Sequence, residues 1–390
     1  MKTCLVVHPD FNVVGGAERV AGNFIQWLAD NAGMEVTLLS LFPPSASALE
    51  KAGVAPEIVR RLKLATANCP GFVREAPGSM YLLRLAFLHR SAKALSGMFE
   101  VCVSTYNELD FGKPGIQYIH HPSFANRALL KEMHILGRQS VLDRVPQLEL
   151  IHRKIVSRIS GDTEIGFARN LTLVNSVFMR DLVSRAYGFC SEVVYPAAVV
   201  DLSNIGGSSW MEREERFVTI SRIAADKGLL ALIDLFSSLQ KEFPRADFAI
   251  LGRGHDTGYE NLLSLRAKEL GVRLRIVKDL SDREMKAYLE KTKYYVQGKV
   301  NEHFGIAVVE AVAAGCLVMV HDSGGPTEIV QRSDLRFNSS EDLISKIKRL
   351  IDDPPLRFQV ISDTQAGLSR FTLSAFNSRL DATIRPFLGN

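Results

Sequence analysis

Two glutamates, Glu302 and Glu310, bracket the segment NEHFGIAVVEAVAAG, with a turn at Gly305 between them. If the whole segment is helical, a rise of about 1.5 Å per residue sets their backbones roughly 12 Å apart. That spacing is somewhat beyond the carboxylate separation of an inverting glycosidase and suits the two ends of one extended ligand. One carboxylate is placed to grip sugar hydroxyls and the other ribose hydroxyls. Between them the amides of Phe304, Gly305, Ile306 and Ala307, with His303 in the same run, open a helix whose positive end can hold a diphosphate. The plainer alternative is an amphipathic helix with a solvated glutamate, although Glu310 sits inside an apolar stretch.

A pair of cations stands in SRIAADKG, directly after a strand-like run, so Arg222 and Lys227 fall on a carboxyl-end loop. A guanidinium fork and an ammonium point charge together can neutralise a departing diphosphate. Gly252 closes the strand-like run ADFAILG and is counted in the same donor-binding set. In HPDFNVVGGAERV, Gly15 and Gly16 let backbone amides approach a phosphate or sugar closely, or simply form a tight turn. The pattern is not Gly-x-Gly-x-x-Gly, which weighs against a nicotinamide dehydrogenase. QYIHHP puts His120 and His121 at a strand end, where His120 can hydrogen-bond a sugar and His121 can orient an acceptor. No His-Glu-x-x-His, Asp-x-Asp or Gly-x-Ser-x-Gly occurs, so metal hydrolysis and serine chemistry are disfavoured and neither a metal nor a cofactor is expected.

These residues need a scaffold that brings strand ends together. Short β-branched runs (KTCLVVH, EVTLLS, EVCVS, IQYIH, NLTLVN, EVVYP) alternate with helical segments such as GGAERVAGNFIQWLADN, where Ala17, Val20, Ala21, Phe24 and Leu28 share one face. Such alternation implies parallel strands crossed by helices. It pauses between Pro196 and Arg213 and then restarts with RFVTIS, ADFAILG, VRLRIV, YYVQG and LVMVH. The reading is an α/β protein of two Rossmann-like, doubly wound parallel-sheet domains facing a central cleft. Residues 1–198 form the first domain, 199–212 a linker and 213–370 the second, with 371–390 a helix that packs back on the first. Ligands of such sheets bind at the carboxyl ends of the strands.

At 390 residues and 46% hydrophobic content, two globular cores are expected. A formal charge of +4 does not suggest nucleic acid as a partner. Five scattered cysteines suggest reduced thiols in a cytoplasmic protein. The apolar run before His8 is too short for a signal-peptide core, and no apolar stretch reaches the length of a membrane span. Residues 57–95 carry seven Lys or Arg against two Glu, together with large apolar residues. This segment is either a peripheral contact with an anionic membrane or a packed helix with a solvated basic face.

With these motifs in order, the chain resembles glycosyltransferase family 4, the retaining enzymes of the GT-B fold. The match rests on Glu302, Gly305 and Glu310, on Ser221, Arg222, Lys227 and Gly228, and on Gly15 and Gly16. The wording of HPDFNVVGGAERV, YIHHPS and NEHFGIAVVEAVAAG followed by SGGP is similar to GDP-mannose-dependent mannosyltransferases of lipid-linked oligosaccharide assembly. The resemblance implies a sugar-nucleotide donor held mainly by the second domain and a glycan or lipid-linked acceptor held mainly by the first. It implies that Glu302 contacts sugar hydroxyls, Glu310 the ribose, Arg222 and Lys227 the diphosphate, and His120 a sugar hydroxyl, without a metal. The residues QGKVN before Glu302 depart from the family pattern. A UDP-sugar donor, a non-catalytic sugar-nucleotide binder, an epimerase and a phosphorylase remain the alternatives.

Overall fold

The computed structural model describes residues 2–75, 80–133, 146–198, 209–252, 254 and 257–389. As far as they are described, the residues divide into two compact units. The first comprises Met1–Leu129, Gln139–Ala197 and Leu373–Asn390, the second Leu130–Arg138 and Ala198–Thr372. Most of the stretch read as a linker, 199–208 of 199–212, lies outside the described residues. Among the described residues, no helix is long and apolar enough to cross a membrane.

The first unit is built on seven strands: β1 (Thr3–Val7), β2 (Glu35–Ser40), β3 (Lys63–Thr66), β4 (Val101–Ser104), β5 (Ile116–Ile119), β6 (Leu171–Val174) and β7 (Glu192–Val193). They pair in parallel in the order β3-β2-β1-β4-β5-β6-β7. Successive side chains of a strand point to opposite faces, and helices cover both faces of a parallel sheet, so each face has its own core. Cys4 and Val6 of β1 join one cluster with Phe24 and Trp27, while Leu5 and Val7 join another with Leu85, Leu88 and Phe111.

The helix Gly16–Asp30 buries Val20, Ala21, Phe24, Ile25, Trp27 and Leu28. Against it lies the helix Leu373–Leu388, whose Phe376, Leu380 and Ile384 complete the same core. Trp27 Nε1 donates to Asp381 at 3.3 Å, and Arg379 binds Glu192 and the Val193 carbonyl. The end of the chain therefore belongs to the first unit.

In the basic segment 57–95, KLAT forms the edge strand β3, which pairs with β2. Much of its charge has internal partners. Arg61 pairs with Asp30 at 2.9 Å, Lys63 with Glu35, and Lys93 with Asp110 at 2.8 Å. Arg74 donates to the Ala67 and Cys69 carbonyls. The helix Tyr81–Leu95 buries Leu85, Ala86, Leu88, His89 and Ala92, as a packed helix would.

The second unit has six strands: β8 (Glu214–Ile220), β9 (Asp247–Gly252), β10 (Leu274–Lys278), β11 (Thr292–Gln297), β12 (Leu317–His321) and β13 (Arg336–Phe337). All pair in parallel, in the order β10-β9-β8-β11-β12-β13. Phe217 on β8 stacks on Phe248 of β9 and on Tyr294 of β11, tying three strands together. Buried Arg213 donates to the Thr292 and Ala314 carbonyls, so its charge is spent on structure.

Candidate active site

Each sheet has one point at which the strand order reverses, and ligands of doubly wound sheets bind at that point beyond the carboxyl ends. In the second unit the order reverses between β8 and β11. Ser221 follows β8, while Gly298 and Lys299 follow β11. A small pocket opens there, lined among others by Thr219, Ser221, Lys227, Gln297, Lys299 and Glu302. Lys227 ends the short turn Ala225–Lys227 and is followed by Gly228 at φ 65°, a left-handed conformation that favours glycine.

Three charges meet in this pocket. Lys227 Nζ lies 3.2 Å from Glu302 Oε2, and Lys299 Nζ lies 3.3 Å from the same oxygen. Oε1 of Glu302 also accepts the His303 amide at 3.2 Å. Burial by itself would raise the Glu302 carboxyl, but the charges of Lys227, Lys299 and His303 outweigh it and hold the group well below the usual carboxylate range. One buried carboxylate between two ammonium groups leaves a surplus positive charge, which suits an anionic ligand.

The helix expected after Gly305 runs from Ile306 to Ala313. Gly305, at φ 100°, caps it in a conformation that no continuing helix uses, so the assumption of a continuous helix and its 12 Å spacing does not hold. His303, Phe304 and Gly305 form the turn that carries Glu302, and Ile306 and Ala307 start the helix. Glu310 is half-buried on that helix and is not among the pocket-lining residues. Burial first, and then the charges of Glu310 and Glu302 among other contacts, keep the Tyr295 phenol of β11 protonated.

The SGGP loop explains its own sequence. The Gly325 amide donates to the Glu302 carbonyl at 2.8 Å, and the Asn301 amide donates to Ser323 Oγ at 2.8 Å. A Cβ on Gly324 would sit 2.4 Å from the Glu302 carbonyl oxygen, and one on Gly325 would sit 2.2 Å from that of His303. The two loops thus pack backbone on backbone and fix where Glu302 stands. Gly252 has a similar cause, because its Cβ would fall 2.0 Å from the Ser221 carbonyl oxygen. Arg222 does not line the pocket: its exposed guanidinium pairs with Asp226 at 3.0 Å.

In the first unit the order reverses between β1 and β4, and His8 and Thr105 follow those strands. His8, fully buried, shares a 3.1 Å hydrogen bond with Thr105 Oγ1, and its Nε2 lies 3.6 Å from Glu18 Oε1. The Gly15 amide, expected to face a ligand, instead donates to Glu18 Oε2 at 2.8 Å, so the carboxylate caps the helix start. Gly16 is the first residue of the helix.

Asn107, at φ 65°, accepts both the His120 and His121 amides through its side-chain oxygen, at 3.0 and 2.9 Å. The His120 ring rests 4.8 Å from that of Tyr118, and its Nε2 has no hydrogen-bond partner among the described residues. Burial, and then the charge of His8, lower its pKa to about 4, so it is neutral at ordinary pH.

Residues 204–366 match the family model described as glycosyl transferases group 1. The second unit carries a group 1 glycosyl transferase domain. The chain is similar to GDP-Man:Man(3)GlcNAc(2)-PP-Dol alpha-1,2-mannosyltransferase of Xenopus laevis, with 23% identity over 75% of this chain and 62% of that protein. It is similar to the Homo sapiens protein of the same name, with 25% identity over 66% of this chain and 58% of that protein. It thus spans about 60% of the length of these curated relatives. Among solved structures, HepE from Anabaena in complex with UDP and glucose has the same fold, with a TM-score of 0.66 and 16% identity over 98% of this chain and 99% of that one.

Within the group 1 domain, the pocket brings together Lys227 and Glu302 of the sequence-derived set and leaves Arg222 and Glu310 outside its lining. Lys299 was not singled out from the sequence. Its signal was a lysine just past the apolar strand YYVQ, which alone reads as a surface charge. His8, Glu18 and Asn107 were also not singled out.

Proposed function

We propose that the chain is a metal-independent retaining glycosyltransferase that moves a hexose, best read as mannose from GDP-mannose, to a glycan or lipid-linked acceptor. The observation that carries the reading is the Lys227–Glu302–Lys299 cluster at the strand-order reversal of a group 1 glycosyl transferase domain. The names of the curated relatives favour GDP-mannose and a lipid-linked acceptor. The UDP and glucose complex of a protein of the same fold favours the second reading, a UDP-sugar donor.

In this reading the second unit holds the nucleotide and the first holds the acceptor. Glu302 takes sugar hydroxyls, Glu310 the ribose and His120, as a neutral imidazole, a further sugar hydroxyl. The amides from Phe304 to Ala307 face the diphosphate, and Lys227 binds it with Arg222 once the guanidinium leaves Asp226. The bond from the anomeric carbon to the phosphate oxygen breaks while the acceptor oxygen bonds to the same face of that carbon. The acceptor proton passes to the departing phosphate oxygen. Lysine charge does the neutralising that a divalent ion would otherwise do, so catalysis rests on positioning and charge stabilisation. A lipid-linked acceptor would bring the protein to a membrane surface.

The test is transfer from GDP-mannose or UDP-glucose to a lipid-linked glycan acceptor in EDTA, with the anomeric configuration of the product read by NMR. An α-linked product formed in EDTA supports the reading. An inverted linkage, or transfer abolished by EDTA and restored by a divalent ion, overturns the corresponding part.

A further inference from the structure

Glu302 is held by two ammonium groups, although one would neutralise it. The side chains of Lys227, Lys299 and Glu302 are 22%, 14% and 11% exposed, so little water screens them. Lys299 is set by the exit of β11, where its amide donates to Gln297 Oε1 at 3.0 Å. Lys227 comes from a separate turn after β8. On the proposed function, the diphosphate of a donor competes with Glu302 for Lys227. A lysine is a point charge and cannot serve two anions equally well. If Lys227 were the sole partner, each donor that bound would strand a buried carboxylate, which is costly unless the group takes up a proton.

We propose that Lys299 is a positioning residue that keeps the Glu302 carboxylate ionised and in place when a donor diphosphate draws Lys227 away. The inference rests on the reading of this pocket as a nucleotide-sugar site. The other groups that face Glu302 are His303, adjacent in the chain, whose charge also lowers its pKa, and Tyr295 of β11, whose phenol stays protonated. The charge of Glu310 acts on Tyr295. None of these replaces Lys299 as a direct ammonium contact. Glu302 can then present a charged, fixed acceptor to the sugar hydroxyls through the whole binding step.

The experiment is calorimetric titration of the full chain with GDP-mannose and UDP-glucose, neither of which titrates near neutral pH, between about pH 5.5 and 8 and in buffers of different ionisation enthalpy. The wild type is expected to bind one of them with little proton uptake. Lys299→Met is expected to weaken binding about ten-fold or more near pH 8. The deficit should shrink by up to about ten-fold per pH unit toward acid, with proton uptake on binding.

Lys299→Arg should restore the wild-type pH behaviour. In a Glu302→Gln background, Lys299→Met should produce none of the pH dependence, because no carboxylate remains to be protonated. Lys299→Gln carries the same expectation if the Met variant does not fold. An equal loss in both backgrounds, independent of pH, would mean that Lys299 contacts the donor directly and would overturn the positioning role, as would unchanged binding by Lys299→Met. If the wild type binds neither sugar nucleotide, the proposed function falls and this inference with it.

Discussion

Lys227 Nζ lies 3.2 Å from Glu302 Oε2, although the two residues are 75 positions apart in the chain. The contact exists because β8 and β11 are neighbours at the reversal of strand order, so that the loops that follow them share one pocket. Removing the carboxylate leaves two lysines facing one another. Glu302→Gln is therefore expected to keep or tighten sugar-nucleotide binding while lowering transfer by about a hundred-fold or more. Parallel binding and turnover measurements check this.

The same carboxylate makes stability depend on pH. Its pKa in the folded state is well below the ordinary 4.5, so its contribution is fully present above that value and is lost as pH falls further. Glu302→Gln should flatten the acid limb of a plot of melting temperature against pH. An unchanged limb would place the acid sensitivity elsewhere.

His120 acts in the same sense over a higher pH interval. Its pKa is lowered to about 4 from 6.5, so between those values the unfolded chain binds more protons than the folded one, and stability rises with pH. The His120 imidazole should remain neutral at about pH 6 in an NMR titration. His120→Asn should weaken the rise in melting temperature over that interval.

Gly325 tests the packing of the SGGP loop. Its Cβ would meet the His303 carbonyl oxygen at 2.2 Å, so Gly325→Ala must displace the turn that carries Glu302. A loss of about 1–3 kcal/mol in stability is expected, with transfer falling further than stability accounts for. Denaturant melts compared with kinetics at a temperature where the variant is folded would separate the two effects.

Phe376 tests the place of the chain end. It is buried against Phe24, with ring centroids 5.9 Å apart. Phe376→Ala should cost about 3–5 kcal/mol in the unfolding of the first unit. Sugar-nucleotide affinity, which the proposed function assigns to the second unit, should change little.

Most of the architecture was legible in the sequence because buried parallel strands announce themselves as β-branched runs. LVV, VTLL, VCV, FVTI and FAIL all became strands. β3 did not announce itself: on a sheet edge KLAT is largely exposed, and its lysine and neighbouring arginines gave it the look of a basic helix face. The site helix was legible as a run after Gly305, whereas the separation of Glu302 from Glu310 was not, because the φ of Gly305 takes Glu302 off the helix. Lys227 and Glu302 were readable from their motifs. Lys299 was not, because its importance lies in which strand neighbours β8, and strand order is a property of the whole sheet.

On the proposed function, the pocket between the ends of β8 and β11 holds the diphosphate of a sugar nucleotide. The most direct measurement is the shift in melting temperature of the wild type and of Lys227→Met with GDP-mannose and with UDP-glucose, each in EDTA, since a ligand that binds only the folded state raises its apparent stability. A rise with one of the two for the wild type, reduced by an amount equivalent to about ten-fold or more in affinity in Lys227→Met, is the expected result. Equal shifts in both proteins, or no shift with either nucleotide, would contradict it.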